Sequence, residues 1–262
     1  MTPAALIDAL WTAYVAVTPQ AQRIHHLLAA RGDVIANDHL ALRTFAVPGL
    51  GLDAVAGAFE KLGWTACERP RIHAEAARER SWQHPDPELP RLLLGEVLVH
   101  ELSPRAQAII GGLVAQLPPG FDAHRALVHA ERPWRLTHAD YCTLRAESAP
   151  AAWIAALGLR VHHVAVDVTA LATFPDLVAL DAFLSEHGFA LDERFSTRPE
   201  AIEVAFADGV ARIPSGTYGF TLRARRGRER REVVVELEQH VDVHADELHA
   251  HAGHRGPAYD RR

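Results

Sequence analysis

The chain has few cysteines: Cys67 and Cys142, far apart among 262 residues. Two thiols cannot form a disulfide framework, and their spacing fits a reducing compartment, so a cytoplasmic location is expected. The sequence also lacks an apolar run of the roughly 18 residues that a membrane span needs. Its first twenty residues have no basic stretch and include Asp8, and read as an amphipathic helix rather than a secretory signal. Positive charge is not in excess: 27 Lys and Arg against 33 Asp and Glu give a formal charge of −6. Nucleic acid is therefore not expected as a partner, nor is a membrane. The local basic run from Arg223 to Arg231 reads as a solvated turn between strands, or alternatively as an anion-attracting lid. Neither a nucleotide-binding glycine loop nor a nucleophile motif is present.

Histidine is abundant, at 17 residues. Five of these, His240, His244, His249, His251 and His254, crowd the C-terminal end. Clustered histidines can bind zinc or nickel. The intervening Asp242, Asp246, Glu247 and Gly253 favour a flexible polar tail.

Hydropathy patterning gives an α+β chain. Helical spacing covers residues 4–16 and 20–31, the second stopping at Gly32. A strand, His39 to Phe45, follows Asn37 and Asp38. Next come a helix through Leu52, Val55, Phe59 and Leu62, a break at Gly63 and a short strand at Trp64–Cys67. Residues 70–90, polar and proline-rich, read as a loop or lid. Leu92–Val99 reads as a buried strand, and Ser103 with Pro104 starts a helix to about Leu117. The second half repeats this order: a strand at Val161–Asp167, a helix closed by Gly188, and a strand starting at Phe189–Leu191. A hairpin turning at Asp208–Gly209 follows, then strands at Tyr218–Arg225 and Glu232–Val243.

The repeat is the main organisational clue. His39 with the three residues after it (HLAL) aligns with His163 and its successors (HVAV), and a helix-ending Gly follows 24 and 25 residues later. The expected layout is one domain over 1–262. It has an N-terminal half to about 120, a helical connection over 121–157, a C-terminal half over 158–243 and a polar tail over 244–262. Two βαβ-type halves would curl a mixed sheet around a cleft, with His39 and His163 at equivalent places on its walls. Two neutral imidazoles and one carboxylate from a late strand would make a 2-His-1-carboxylate face with open positions, the arrangement that suits Fe(II), O₂ and a chelating substrate. His162 would point to the opposite face of its strand. Arg43, four residues after His39 and on the same face, would sit roughly 13 Å along the wall, where its planar fork could bind a carboxylate.

The segments NDHLALRTF (residues 37–45) and FADGVARIPS (206–215) resemble the DUF1338 family, and the likeness extends from the N-terminal helices to about residue 225. The resemblance implies a vicinal-oxygen-chelate-like fold and an Fe(II)-dependent dioxygenase/decarboxylase. Such an enzyme would convert a small 2-oxo acid such as 2-oxoadipate, with O₂, into a 2-hydroxy acid and CO₂. His39 and His163 match the family's metal histidines. Arg43 matches its substrate-binding arginine and is expected to act in catalysis as well. Short members carry Glu where this chain has Gly219. The third ligand is therefore expected from VELEQ over 235–239, with Glu238 preferred to Glu236. Ser215 is expected either to contact substrate or to stabilise the turn after Pro214, and Arg212 to add a second anion contact. Two other readings stay open: a metal-dependent isomerase or hydrolase on the same fold, and a non-catalytic metal or small-acid binder.

Overall fold

The computed structural model describes residues 1–67, 71–73, 77–129 and 132–222, with side chains at 71–73 left out. Two helices lead the chain, α1 (Pro3–Val15) and α2 (Pro19–Ala30). Thr2 caps α1 by accepting from the Ala5 N–H, and a proline opens each helix, where a missing N–H costs nothing. The apolar stripe Leu6, Leu10 and Tyr14 is fully buried, which turns α1 inward.

The first half continues with β1 (Asn37–Phe45), α3 (Leu52–Glu60), β2 (Thr65–Ala66), β3 (Arg71–His73), β4 (Ala77–Gln83) and β5 (Arg91–Val97). The helical connection holds α4 (Pro104–Val114), α5 (Ala123–His129), α6 (His138–Glu147) and α7 (Ala149–Leu157). The second half is β6 (Val161–Asp167), α8 (Leu177–Glu186), β7 (Ala201–Phe206), β8 (Gly209–Pro214) and β9 (Thr217–Thr221).

One mixed sheet runs in the order β2-β4-β5-β1-β6-β9, with β3 also paired to β4; β7 and β8 form a separate hairpin. The pairing has internal symmetry. β1 and β6 meet antiparallel at the centre, and each is flanked in parallel by the last described strand of its own half, β5 or β9. Leu40, Leu42, Leu92, Leu94, Val164, Val166, Tyr218 and Phe220 fill one face and are buried. Each such side chain contributes about 1.5–3 kcal/mol by leaving water. The fold is α+β, with two related halves around a curved mixed sheet.

Two sequence expectations change. Residues 77–83 are a strand inside the sheet rather than part of a loop or lid: Trp82 is buried and its indole N–H donates to Glu60. One apolar anchor and a complete hydrogen-bond ladder with β5 outweigh the polar composition. Phe189–Leu191 starts no strand; Leu191 makes one isolated bridge to Thr197. The predicted strand over 232–243, the basic run and the histidine-rich tail lie outside the described residues.

Candidate metal and substrate site

β1 and β6 place the two matched histidines on one face. In the antiparallel register His39 lies opposite Ala165, and His163 lies opposite Ala41. Directly opposed residues point to the same side, so His39, Ala41, His163 and Ala165 form a diagonal block. Both imidazoles are buried, and their ring centroids are 5.4 Å apart. With metal–nitrogen bonds of about 2.1 Å, two rings on one ion sit roughly 5 Å apart, so the spacing fits a shared cation.

Two register shifts between β1 and β6 decide what surrounds them. One falls at Asp38, between Asn37 and His39. The other falls at His162, where Ala41 pairs with His163 but Leu42 pairs with Val161. A bulge sets two consecutive residues opposite one and re-aims a side chain. Asp38 thereby reaches its neighbour: the His39 Nδ1–H donates to Asp38 Oδ2 at 2.9 Å, and Arg91 donates to the same oxygen at 2.7 Å. Burial alone would raise the Asp38 carboxyl. The hydrogen bonds and charges of His39 and Arg91 outweigh it and hold the group well below the ordinary carboxylate range. In a neutral ring, the Nδ1 proton that this bond uses makes Nε2 the lone-pair atom. That atom is buried and has no hydrogen-bond partner among the described residues. A carboxylate behind a histidine with an open lone pair is the usual support of a metal-binding imidazole.

His163 is held through Nδ1, 2.8 Å from Thr217 Oγ1 on β9. Burial first, then the nearby His39 and Arg43, lower its pKa to about 3. The ring therefore stays neutral and available to a cation at physiological pH. The N-terminal helices secure this support. Tyr14 Oη donates to the Thr217 carbonyl at 2.5 Å, and Gln20 Nε2 donates to the Gly216 carbonyl at 2.9 Å.

The second bulge corrects the expected orientation of His162. It does not turn to the opposite face; its Nε2 accepts from Arg43 Nε–H at 3.0 Å. Burial, then the positive charge of Arg43, push its pKa well down, which keeps Nε2 free to accept. Arg43 also borders a shallow recess with Leu94, Gly95 and Arg160, so two cationic side chains line that end of the sheet.

The other expected residues fall elsewhere. The Ser215 hydroxyl is buried among protein groups: it accepts from Gln20 Nε2 at 3.1 Å and from the Glu200 N–H at 3.0 Å, and donates to the Gly216 carbonyl. Its role as a substrate contact gives way to one in holding the turn before β9. Arg212 is exposed on the β7–β8 hairpin and donates to the Ala201 carbonyl, away from the histidines. Glu236 and Glu238 lie outside the described residues. Among those described, no third His, Cys, Asp or Glu joins the pair to make a three-ligand cluster.

Gly219 has a geometric reason. It pairs with Ala165 in the row that contains His39. A Cβ there would lie 2.6 Å from His163 Cε1 and 2.7 Å from Ser196 Oγ. No side chain, glutamate included, fits at 219 with those groups in place. Asp38, His162, Thr217 and Ser196 are site-lining residues that alternation alone does not mark. The clue in the sequence was Asp38 immediately before His39, a carboxylate too close for an unbroken strand to use.

No protein-family model matches the chain. It is 27% identical to the rice 2-oxoadipate dioxygenase/decarboxylase of chloroplasts and amyloplasts, over 94% of this chain and 72% of that protein. Among solved structures, a Shewanella frigidimarina protein described as a candidate hydrolase is 34% identical with a TM-score of 0.78, covering 85% of this chain and 92% of its own. The rice hydroxyglutarate synthase, solved with 2-oxoadipate, is 27% identical with a TM-score of 0.76, over 82% and 78% of the two chains. A glyoxalase-superfamily candidate from Ralstonia eutropha, 21% identical, shares the fold with a TM-score of 0.69 over 84% and 82%. The shared fold, the matched length and the motif around His39 and Arg43 lead to one conclusion: this chain is a homologue of the proteins named 2-oxoadipate dioxygenase/decarboxylase.

Proposed function

We propose that the chain is an Fe(II)-dependent dioxygenase/decarboxylase that converts a small 2-oxo acid such as 2-oxoadipate, with O₂, into CO₂ and the 2-hydroxy acid one carbon shorter. The observation that carries this reading is the buried Nε2 of His39, without a hydrogen-bond partner among the described residues, beside the neutral His163 ring. A buried acceptor of this kind costs free energy unless something fills it. The donor set, two imidazoles with a carboxylate behind one of them, fits a first-row divalent ion better than a hard oxygen-seeking one. His39 and His163 would hold the ion, with Glu238 the preferred third donor. Fe(II) would supply the redox chemistry that amino acid side chains lack.

The protein's own groups have separate tasks. Asp38 fixes the His39 tautomer, and Thr217 orients His163. Arg43, held by His162, offers a planar cation to a substrate carboxylate. Burial keeps bulk water from the histidine rings. The rice relatives' activity and the 2-oxoadipate in the rice complex support a dicarboxylic 2-oxo acid as substrate.

The test is stoichiometric. Protein supplied with Fe(II) and 2-oxoadipate should consume one O₂ and release one CO₂ per 2-hydroxyglutarate formed. A chelator should stop the reaction, and fresh Fe(II) should restore it. No turnover across a panel of 2-oxo acids refutes the proposal. Binding without turnover would instead favour a small-acid binding protein, the reading that Gly219 supports by supplying no carboxylate from β9.

A further inference from the structure

We propose that the Ser196 hydroxyl is a substrate-binding group of the histidine site, donating a hydrogen bond to the carboxylate–keto head of a bound 2-oxo acid. The inference rests on the functional reading above and adds a residue to it.

Four residues lie in one row across the sheet. His39 on β1 pairs with Ala165 on β6, Ala165 with Gly219 on β9, and Gly219 with Ser196, which bridges the outer edge of β9. The two middle residues carry only a methyl group and a hydrogen. No bulky side chain therefore stands in the row between the His39 imidazole at one end and the Ser196 hydroxyl at the other. The His163 ring leans over Gly219 from the adjacent row: the point where a Gly219 Cβ would stand is 2.7 Å from Ser196 Oγ and 3.1 Å from His163 Nε2. The hydroxyl and the imidazole thus approach each other over Gly219, a meeting that is possible because residue 219 has no side chain.

The backbone is bent to achieve this. Phe195, next to Ser196, has φ of 54°, the only positive value at a non-glycine residue among those described. An aromatic residue in that region is strained by roughly 1–3 kcal/mol and persists where its surroundings over-determine it. Here the Phe220 N–H donates to the Phe195 carbonyl at 3.0 Å, the Thr197 N–H donates to the Tyr218 carbonyl at 2.8 Å, and Asp192 accepts from the Ser196 N–H at 2.9 Å. These bonds hold the main chain on both sides of Ser196. None of them uses its Oγ, which has no hydrogen-bond partner among the described residues. A strained turn that fixes the backbone and leaves one hydroxyl beside the His163 imidazole is arranged for a ligand with oxygen acceptors.

The contact lies at the histidine end, so it would read the head of the substrate and not its tail. Calorimetric titration of the Fe(II)-supplemented protein, kept anaerobic to prevent turnover, tests this. Ser196→Ala should weaken 2-oxoadipate binding about tenfold or more, the value of one hydrogen bond to a charged group. It should weaken pyruvate, which has the same head and no distal carboxylate, by a similar factor. Iron content should be unchanged. Ser196→Gly, which also lacks the hydroxyl, should behave alike and covers the case in which the alanine variant folds poorly. Wild-type binding with unchanged affinity in both variants overturns the assignment of Ser196 alone. Loss of iron in both variants also overturns it, because the hydroxyl would then serve the ion. A wild-type protein that binds no 2-oxo acid removes the functional reading, and this inference with it.

Discussion

Arg43 and His162 are bound to each other across the central strand pair, with Arg43 Nε–H donating to His162 Nε2 at 3.0 Å. A guanidinium tied through Nε keeps its two terminal NH₂ groups in a fixed plane, the geometry that grips a carboxylate with two bonds. His162→Phe should therefore raise KM for 2-oxoadipate about tenfold, with a smaller change in kcat. His162→Gln, whose amide oxygen can accept from Nε, should recover most of the loss. Arg43→Lys should be more damaging than His162→Phe, because it removes the fork itself. Steady-state kinetics on the three variants decides the point: equal KM values for His162→Phe and the wild type would show that His162 does not position Arg43.

Asp38 stands to His39 as His162 stands to Arg43: each is the bulged residue beside or across from the group it orients. Asp38→Asn keeps the shape but weakens the charge-assisted bond to His39 Nδ1. Iron affinity should drop about 10–100-fold, the usual cost of losing such support. A stability effect accompanies it. The Asp38 carboxyl is depressed in the folded state, so its contribution is fully present above the unfolded value of about 3.9 and is lost as pH falls toward the lower folded value. The wild type should lose stability below about pH 4 more steeply than Asp38→Asn, as read from denaturant midpoints across that range.

How much of this was legible in the sequence follows from what alternation can and cannot encode. His39 and His163 were identifiable because the repeat sets them at equivalent points, and Leu40, Leu42, Val164 and Val166 mark the buried face of the same strands. The bulges were not identifiable. Each inserts one residue into a period-two pattern, and His162 was consequently placed on the wrong side. Ser215 and Arg212 sit in a segment resembling the family motif, yet a motif does not say where its side chains point. Ser215 turned inward to Gln20, and Arg212 turned out to solvent. Ser196 gave no signal at all: its place depends on a positive φ at Phe195 and on pairing with a strand more than twenty residues away.

Gly219→Ala tests the crowding directly. Its methyl group would stand 2.6 Å from the His163 ring and 2.7 Å from Ser196 Oγ. The ring must swing away from Thr217 or the strand must shift, at a cost of about 1–3 kcal/mol for overpacking. Iron binding should fall at least tenfold, while the far-ultraviolet circular dichroism stays that of the wild type. An alanine variant with normal iron affinity would mean that the ring is free to move, and that Gly219 is not needed for the placement of His163.

Ser215→Ala separates a structural hydroxyl from a binding one. Its oxygen accepts from Gln20 Nε2 and from the Glu200 N–H in a buried setting. Removing it strands two donors, which should lower stability by about 1–3 kcal/mol. Because Gln20 and the adjacent Gly216 lie beside the strand that carries Thr217, the support of His163 should loosen only as the fold melts. KM for 2-oxoadipate should thus match the wild type at temperatures well below the unfolding midpoint, while the midpoint itself drops by several degrees. A raised KM at unchanged stability would return Ser215 to the substrate site and displace the structural role given to it by Gln20 and Glu200.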